Sequence, residues 1–432
     1  MTHSIFKKIV TYVLQTESRL VLWKYKPKVI TITGSVGKTS TKDAIYAVIS
    51  GVSYVRKSEK SYNSEIGLPL TILGCANAWN NPYKWFLNIL KGIWLFIWPH
   101  QYPQWLVLEV GVGKPGDMYR TAFWLKSDVV IITSIGDTPS HIEFFDSHKH
   151  LVEEKSGLIK TLKKDGLLIL NNDDEIVSEM KTRIKNRVIT FGFKEDSDIK
   201  GSGDSIFYTD EGEPGGLIFR IDETGNSFPV VIEGVFGKNY VYASLGALAF
   251  SSGLKFNMLQ SINKLKNYNI PPGRMRLLKG INNSFIIDDT YNSSPFACES
   301  ALKTLGEIKS NGRKIAVLGD MLELGHHTEE AHKNIGKIAK ENVDVLMTVG
   351  PRAEKIKEGT IEAGMNIENI FEFLNSQEAG EFLKTFVQKN DFVLIKGSQG
   401  MRMERAVEAI LEDKKNKSQL LVRQDEEWLK KK

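Results

Sequence analysis

Gly34-Ser35-Val36-Gly37-Lys38-Thr39-Ser40-Thr41 stands between a β-branched run, Val29 to Ile32, and a helix-like stretch, Lys42 to Ile49. A strand that turns through two glycines into a helix aims free backbone N–H groups and the positive helix end at one point, which suits a triphosphate. Lys38 would neutralise the outer phosphates and the Thr39 hydroxyl would hold Mg²⁺. Only Ser35 and Val36 separate the two glycines, where four residues are usual in a phosphate-binding loop, so the string needs support from elsewhere in the chain.

Further candidates follow other apolar runs. Glu109 ends Trp105 to Leu108, from where its carboxylate would face the phosphate loop as a metal ligand, or cap a helix or join a salt bridge. His141 follows Val130 to Thr133 and the turn Ile135 to Pro139. Taken alone it reads as a surface or core histidine, because Mg²⁺ prefers oxygen. Lys155, in Glu153-Glu154-Lys155-Ser156, reads alone as a solvated helix lysine. In the second half, Ile286 to Pro295 runs a strand into Asp288-Asp289 and a turn with Tyr291 and Asn292, suited to ribose hydroxyls and a base, or to an Asx turn without a ligand. Val317 to Gly325 and Ile395 to Glu404 each end a strand in a charged, glycine-containing loop, which together suggest a cleft for a small charged substrate.

The elements that must position these residues form three segments and a tail. Residues 1–26 read as one amphipathic helix, with Phe6, Ile9, Val13 and Leu20 on one side and Lys8, Thr11, Gln15 and Arg19 on the other. From 27 to 270, the short apolar runs 29–33, 105–110, 129–133 and 166–171 predict parallel strands alternating with helices. Between 195 and 233, Gly, Asp and Ser clusters separate 206–208, 217–221 and 228–232, which predicts an antiparallel flap on the same domain. After Pro271-Pro272-Gly273, a hinge, the runs 285–288, 314–318, 345–349 and 392–395 predict a second doubly wound, Rossmann-like domain over 271–413. A charged tail, 414–432, follows. The fold class expected is α/β: a central P-loop ATPase domain with a mostly parallel sheet and an antiparallel flap, then the Rossmann-like C-terminal domain.

Composition is ordinary for a soluble globular protein. Of 432 residues, 41% are hydrophobic and 25% charged, enough for two or three real cores. The net charge of +5 is interspersed rather than gathered in a basic block, so no nucleic-acid surface is expected. Two distant cysteines, Cys75 and Cys298, exclude a disulfide framework or a cysteine zinc site and fit the cytoplasm. Lys7, Lys8, Gln15 and Glu17 break up any export signal. Within an apolar insert at 79–103, the stretch 84–98 is rich in Trp, Phe, Ile and Leu, with Lys84, Asn88 and Lys91 at helical spacing. As a helix it covers about 22 Å, short of the roughly 30 Å hydrocarbon core, so it is not expected to span a bilayer. With the basic N-terminal helix it would lie peripherally at the inner face of the membrane, or pack on the protein or a second copy.

Six ordered strings resemble the Mur ligases: Gly34 to Thr41; Asn63 with Glu65-Ile66-Gly67-Leu68-Pro69; Glu109 with Pro115-Gly116; Asp288 to Asn292; Gly319 to Gly325; and Lys396 to Glu404. The last two are most similar to the member that adds D-alanyl-D-alanine to a muramoyl-tripeptide. The resemblance covers about 28–410. It implies an ATP- and Mg²⁺-dependent amide ligase that activates a muramoyl-peptide carboxylate as an acyl phosphate, which the amine of D-alanyl-D-alanine attacks. By resemblance, Gly34, Ser35, Val36, Gly37, Lys38, Thr39, Ser40, Arg274 and Asp289 bind ATP. Thr39, Glu109, His141 and a carbamylated Lys155 hold metal, and Lys38, Lys155, His141 and Glu109 make up the catalytic set. Asn63, Asn292, Arg402 and Glu404 serve the substrates. Carbamylation turns a lysine amine and CO₂ into an anion with two oxygens, a suitable Mg²⁺ donor.

The chain also departs from the family pattern. Only 33 residues precede Gly34, too few for the domain that usually binds the uridine diphosphate sugar. The loop before His141 is longer, and Gly237 to Ala243 lacks the family's adenine-associated histidine and final asparagine. A related Mur-type ligase or amidating enzyme acting on a lipid-linked or other peptide acceptor and a non-catalytic nucleotide-binding partner subunit therefore stay open.

Overall fold

Short apolar runs buried on both faces pair in parallel, because neighbouring strands satisfy their backbone groups while helices cover the side chains. The computed structural model describes residues 2–59, 62–136, 144–266, 268 and 270–430. His141 lies outside them.

The first sheet comprises β1 (Lys28–Thr33), β2 (Val55–Lys57), β3 (Trp105–Glu109), β4 (Ser127–Ile132), β5 (Leu162–Asn171), β6 (Arg187–Gly192), β7 (Ile199–Tyr208), β8 (Pro214–Glu223) and β9 (Asn226–Glu233). Its order is β2-β3-β1-β4-β5-β6-β7-β8-β9. Strand β1 pairs in parallel with β3 and β4, Ile32 opposite Glu109 and Thr33 opposite Ile132, so the three carboxyl ends form one ledge. The flap β7-β8-β9 is antiparallel, and β7 joins β6 through a short parallel pairing at Phe191 and Ile199. The brief β2 and the strand β6 were not anticipated: three residues carry no period, and Arg187–Gly192 has a mixed composition.

The second sheet, β10 (Arg276–Gly280), β11 (Ser284–Asp289), β12 (Lys314–Gly319), β13 (Val345–Val349), β14 (Ile370–Phe373) and β15 (Phe392–Lys396), runs β10-β11-β15-β12-β13-β14. All its neighbours are parallel except β10 and β11. The linker between the sheets is fastened to the end of β11. Gly273 N–H donates to Asp288 Oδ2, Met275 N–H to Asp289 Oδ1, and Tyr291 N–H to the Gly273 carbonyl. Burial pushes the Asp288 carboxyl up to about 6, and the Thr290 and Gly273 donors work against that rise.

The segment after residue 413 folds back on the second domain rather than trailing away. Leu421 is buried there and Arg423 donates to the carbonyls of Thr290 and Tyr291.

Helices α2 (Lys38–Ser50) and α3 (Gly67–Leu73) pack on β3, and α1 (Thr2–Tyr25) packs on α3 and α4 (Pro82–Ile97). The expected faces of α1 are corrected. Val10, Thr11, Leu14, Glu17, Ser18 and Val21 are buried, whereas Phe6, Ile9 and Leu20 are exposed. Two apolar stripes coexist on this helix, and periodicity alone selected the outer one. The inner stripe wins the core because it meets α3 and α4. Asn81 caps α4 through its side chain, with Pro82 at the first helical position. At the other end Lys24 donates to the carbonyls of Leu95, Phe96 and Trp98 at 3.0, 2.8 and 2.7 Å, a cation on the negative helix terminus. A Cβ at Gly92 would stand 2.1 Å from Glu17 Oε2, so glycine lets the two helices close.

Neither Glu17 carboxylate oxygen has a hydrogen-bond partner among the described residues, and burial raises its pKa to about 7. The folded chain therefore holds a proton that the unfolded chain releases above about 4.5, and stability falls as pH rises from about 4.5 to about 7. Glu17→Gln should remove this slope and raise the melting temperature above that of the parent at alkaline pH, read by thermal unfolding on both sides of the window. Identical pH profiles would refute the assignment.

Candidate active site

The ledge at the ends of β1, β3 and β4 gathers most of the residues singled out in the sequence. Gly34 approaches β4 so closely that a Cβ would sit 2.1 Å from Thr133 Oγ1, and Gly37 turns the chain into α2 at φ 84°. Ser35 N–H is tied to the Ser134 carbonyl at 2.5 Å, which holds the loop against the segment after β4. Asp174 fixes that segment in turn by accepting from Ser134 Oγ, Ile135 N–H and Gly136 N–H at 2.9, 2.8 and 3.1 Å.

Two lysines converge on the loop. Lys38 Nζ donates to the carbonyls of Gly34 and Ser35 at 2.8 and 3.1 Å. Lys155, on the helix His148–Ser156, is 2% exposed and donates to Ser35 Oγ at 2.6 Å. Burial first, and then the charge of Lys38, hold the Lys155 amine well below the ordinary lysine range. Burial also lowers Lys38, against the opposing pull of Glu109. The reading of Lys155 as a solvated helix lysine is therefore corrected: its helix turns it inward toward the loop.

Glu109 is the carboxylate that faces Lys38. Its Oε2 accepts from Thr39 Oγ1 at 2.9 Å, and its Oε1 accepts from Asn63 Nδ2 at 3.3 Å. The buried Lys42 ammonium lies 3.8 Å from Glu109 Oε2 and 3.6 Å from Asp43. Thr39 and Glu109 are hard oxygen donors of the kind Mg²⁺ takes together with phosphate oxygens and water. Among the described residues no three His, Cys, Asp or Glu side chains gather into a protein-only metal cage.

The second domain closes the cleft. Arg274 stacks over Tyr291, 3.9 Å from the ring centroid, and its Nη2 lies 3.5 Å from Thr39 Oγ1. Arg274 Nε is buried without a hydrogen-bond partner among the described residues, a donor that an anionic oxygen would satisfy. Lys396 bridges Asp289 Oδ2 at 2.6 Å and the Asn292 carbonyl at 2.9 Å. Ser40, Asn63, Glu109, Arg274, Asp289 and Asn292 thus line one cleft. Beside it a cavity of about 500 Å³, the size of a small-molecule site, runs from Val36 and Gly37 past Asn171, Asp174 and Phe191 to Asn239 and Ala243.

Arg402 and Glu404 stand apart from the cleft lining. Glu404, buried, accepts from Arg402 Nε at 2.5 Å and from Arg423 Nη1 at 2.8 Å, while Arg402 Nη1 donates to the Trp428 carbonyl. Asp174 and Arg423 were not singled out in the sequence. Asp174 had a signal, an acidic pair at the carboxyl end of a predicted strand, whereas Arg423 lay in a charged segment with no pattern.

Residues 32–250 match the Mur ligase middle domain, and residues 273–399 match the Mur ligase, glutamate ligase domain. The chain is 28% identical over 400 residues to the UDP-N-acetylmuramoyl-tripeptide--D-alanyl-D-alanine ligase of Bacillus subtilis, covering 92% of this chain and 79% of that one. It is 27% identical over 436 residues to the enzyme of that name from Buchnera aphidicola subsp. Acyrthosiphon pisum, covering 96% and 86%. The crystal structure of MurF ligase from Thermotoga maritima in complex with ADP superposes with a TM-score of 0.76 at 26% identity, covering 92% of this chain and 83% of that one.

Replacing Glu404 would leave two buried guanidinium groups without their shared counter-ion, a loss of about 3 kcal/mol or more. Glu404→Ala should therefore lower the urea unfolding midpoint markedly. An unchanged midpoint would show that the cluster is not structural.

Proposed function

The chain belongs to the Mur ligase family, and from that premise we propose that it is an ATP-dependent amide ligase joining D-alanyl-D-alanine to a muramoyl-tripeptide, with ADP and phosphate as products. The observation that carries the reading is the convergence of Lys38, Lys155, Thr39 and Glu109 on one glycine turn, in a chain that matches both family domains.

In this reading the γ-phosphate draws Lys38 from the loop carbonyls it now contacts. Thr39 and Glu109 hold Mg²⁺, whose charge offsets that building on the transferring group. The acceptor carboxylate attacks the γ-phosphorus and ADP departs. The dipeptide amine then attacks the acyl carbon, expelling phosphate and losing a proton as the amide forms. Much of the rate comes from alignment across the cleft. Arg274 contributes by reaching from the second domain to the Thr39 hydroxyl, and Asp289 by fixing the strand end beside it. Asn63 and Asn292 serve the peptide side. Arg402 and Glu404 act through the Tyr291 backbone, held by Arg423, as positioning residues.

Lys155 supports the metal role in a second chemical form. A neutral amine is the nucleophile that CO₂ requires, and burial beside Lys38 favours the neutral form. Nitrogen attacks the CO₂ carbon and releases a proton, leaving a carbamate at the phosphate loop, where the amine now meets Ser35 Oγ. His141 is assigned by resemblance as a further ligand. ATP and the dipeptide are cytoplasmic, so the reaction belongs to that compartment. A related reading, the same chemistry on a lipid-linked acceptor, is separated by the acceptor assay below.

Purified protein given ATP, Mg²⁺ and D-alanyl-D-alanine with nucleotide-linked or lipid-linked muramoyl-tripeptide should form ADP only when both substrates are present, with the joined pentapeptide detected by mass spectrometry. Lys38→Ala should cut that rate by about a thousandfold. Lys155→Ala should lose a similar factor and regain part of it with added short carboxylates. ADP release indifferent to the dipeptide would overturn the assignment.

A further inference from the structure

We propose that the outer faces of α1 and α4 form a docking surface for an anionic lipid bilayer. This inference rests on the surface alone and not on the ligase reading.

The two helices lie side by side, as Glu17 opposite Gly92 and Lys24 on the carbonyls of Leu95 to Trp98 require. At 100° per residue, Ile9, Tyr12, Leu20 and Trp23 of α1 share an arc of about 80°, opposite the buried Leu14 and Val21. Phe86, Leu90, Ile93, Trp94 and Ile97 of α4 share an arc of about 100°, opposite the buried Leu95. Both arcs are exposed, on two helices packed against each other. Tyr12 and Trp23 are 72% and 71% exposed, and Tyr83 is 68% exposed. Each helix thus presents an exposed apolar stripe, not scattered surface hydrophobics.

Charge selects the occupant. Lys7, Lys8, Lys26 and Lys84 are exposed on these helices and at their ends. The one acid in 1–26 and 79–103 is Glu17, which is buried. A second copy of the face would bring like charges together, whereas an anionic headgroup layer complements them. Tryptophan and tyrosine beside lysine are the side chains that settle at headgroup depth. Among the described residues no helix is long and apolar enough to cross a membrane, so the contact lies in the plane of the surface. A groove lined by Phe6, Val10, Tyr62, Ile66 and Trp85 leads from this face toward the segment that carries Asn63.

The full chain, without nucleotide or substrate, should float with vesicles of phosphatidylcholine containing phosphatidylglycerol and stay behind with phosphatidylcholine alone. High salt should release it, and tryptophan emission should shift blue on binding. Lys8→Gln with Lys84→Gln should weaken partitioning by about twentyfold. Trp23→Ser with Ile97→Ser should abolish it while leaving the melting temperature and ADP formation unchanged. Lys38→Ala, which tests the ligase reading, should float like the parent, so the two readings can fail separately. Failure to float with either vesicle, equal capture by both, or a stable dimer broken by the Trp23→Ser, Ile97→Ser variant would overturn the proposal.

Discussion

The site depends on one carboxylate held among cations. Glu109 ends a central strand, so its backbone is fixed by parallel pairing with β1, and its side chain meets Thr39, Asn63 and Lys42. A buried anion is tolerated only when it is paired and hydrogen-bonded. Here the groups that satisfy it come from the phosphate-loop helix and from the segment after β2. Meeting that electrostatic demand therefore draws together the parts that must act jointly on phosphate and metal. The surplus of positive charge supplied by Lys38 and Arg274 suits a polyanion.

The cleft between the two sheets depends on a second buried acid. Asp288 accepts from Gly273 and from Thr290, while the neighbouring Asp289 takes Met275 N–H and Lys396. The adjacent aspartates thus fasten the interdomain linker to β11 and fix where Arg274 and Tyr291 face the phosphate loop. Burial opposes charge on Asp288. Its burial therefore carries a cost that an exposed hinge would not incur, and the Gly273 and Thr290 donors offset part of it.

The central parallel strands were legible because they are short apolar runs ending in polar or glycine-containing loops, and the ledge of functional groups follows from that rule, whereas β2, β6 and β14 were not read from the sequence. The antiparallel flap was legible from its turn residues. The orientation of α1 was not: a helix with two apolar stripes gives periodicity no basis for choosing between them, and only α3 and α4 decide. Lys155 was opaque for a related reason, since a lysine among glutamates on a helix is ordinarily solvated. Its burial depends on a loop 120 positions away in sequence. Arg423 was invisible because its partners, Glu404 and the Tyr291 carbonyl, are set by a chain reversal that no local pattern encodes.

That reversal has a consequence for where the working unit ends. The recognisable ligase domain stops at residue 399, yet the guanidinium group that props the Tyr291 turn is supplied from residue 423, beneath Trp428. Tyr291 in turn seats Arg274 against the phosphate loop. The last stretch of chain is thus a keystone rather than an appendage: trimming it to the conventional domain border would leave both sheets intact while loosening the arch that joins them.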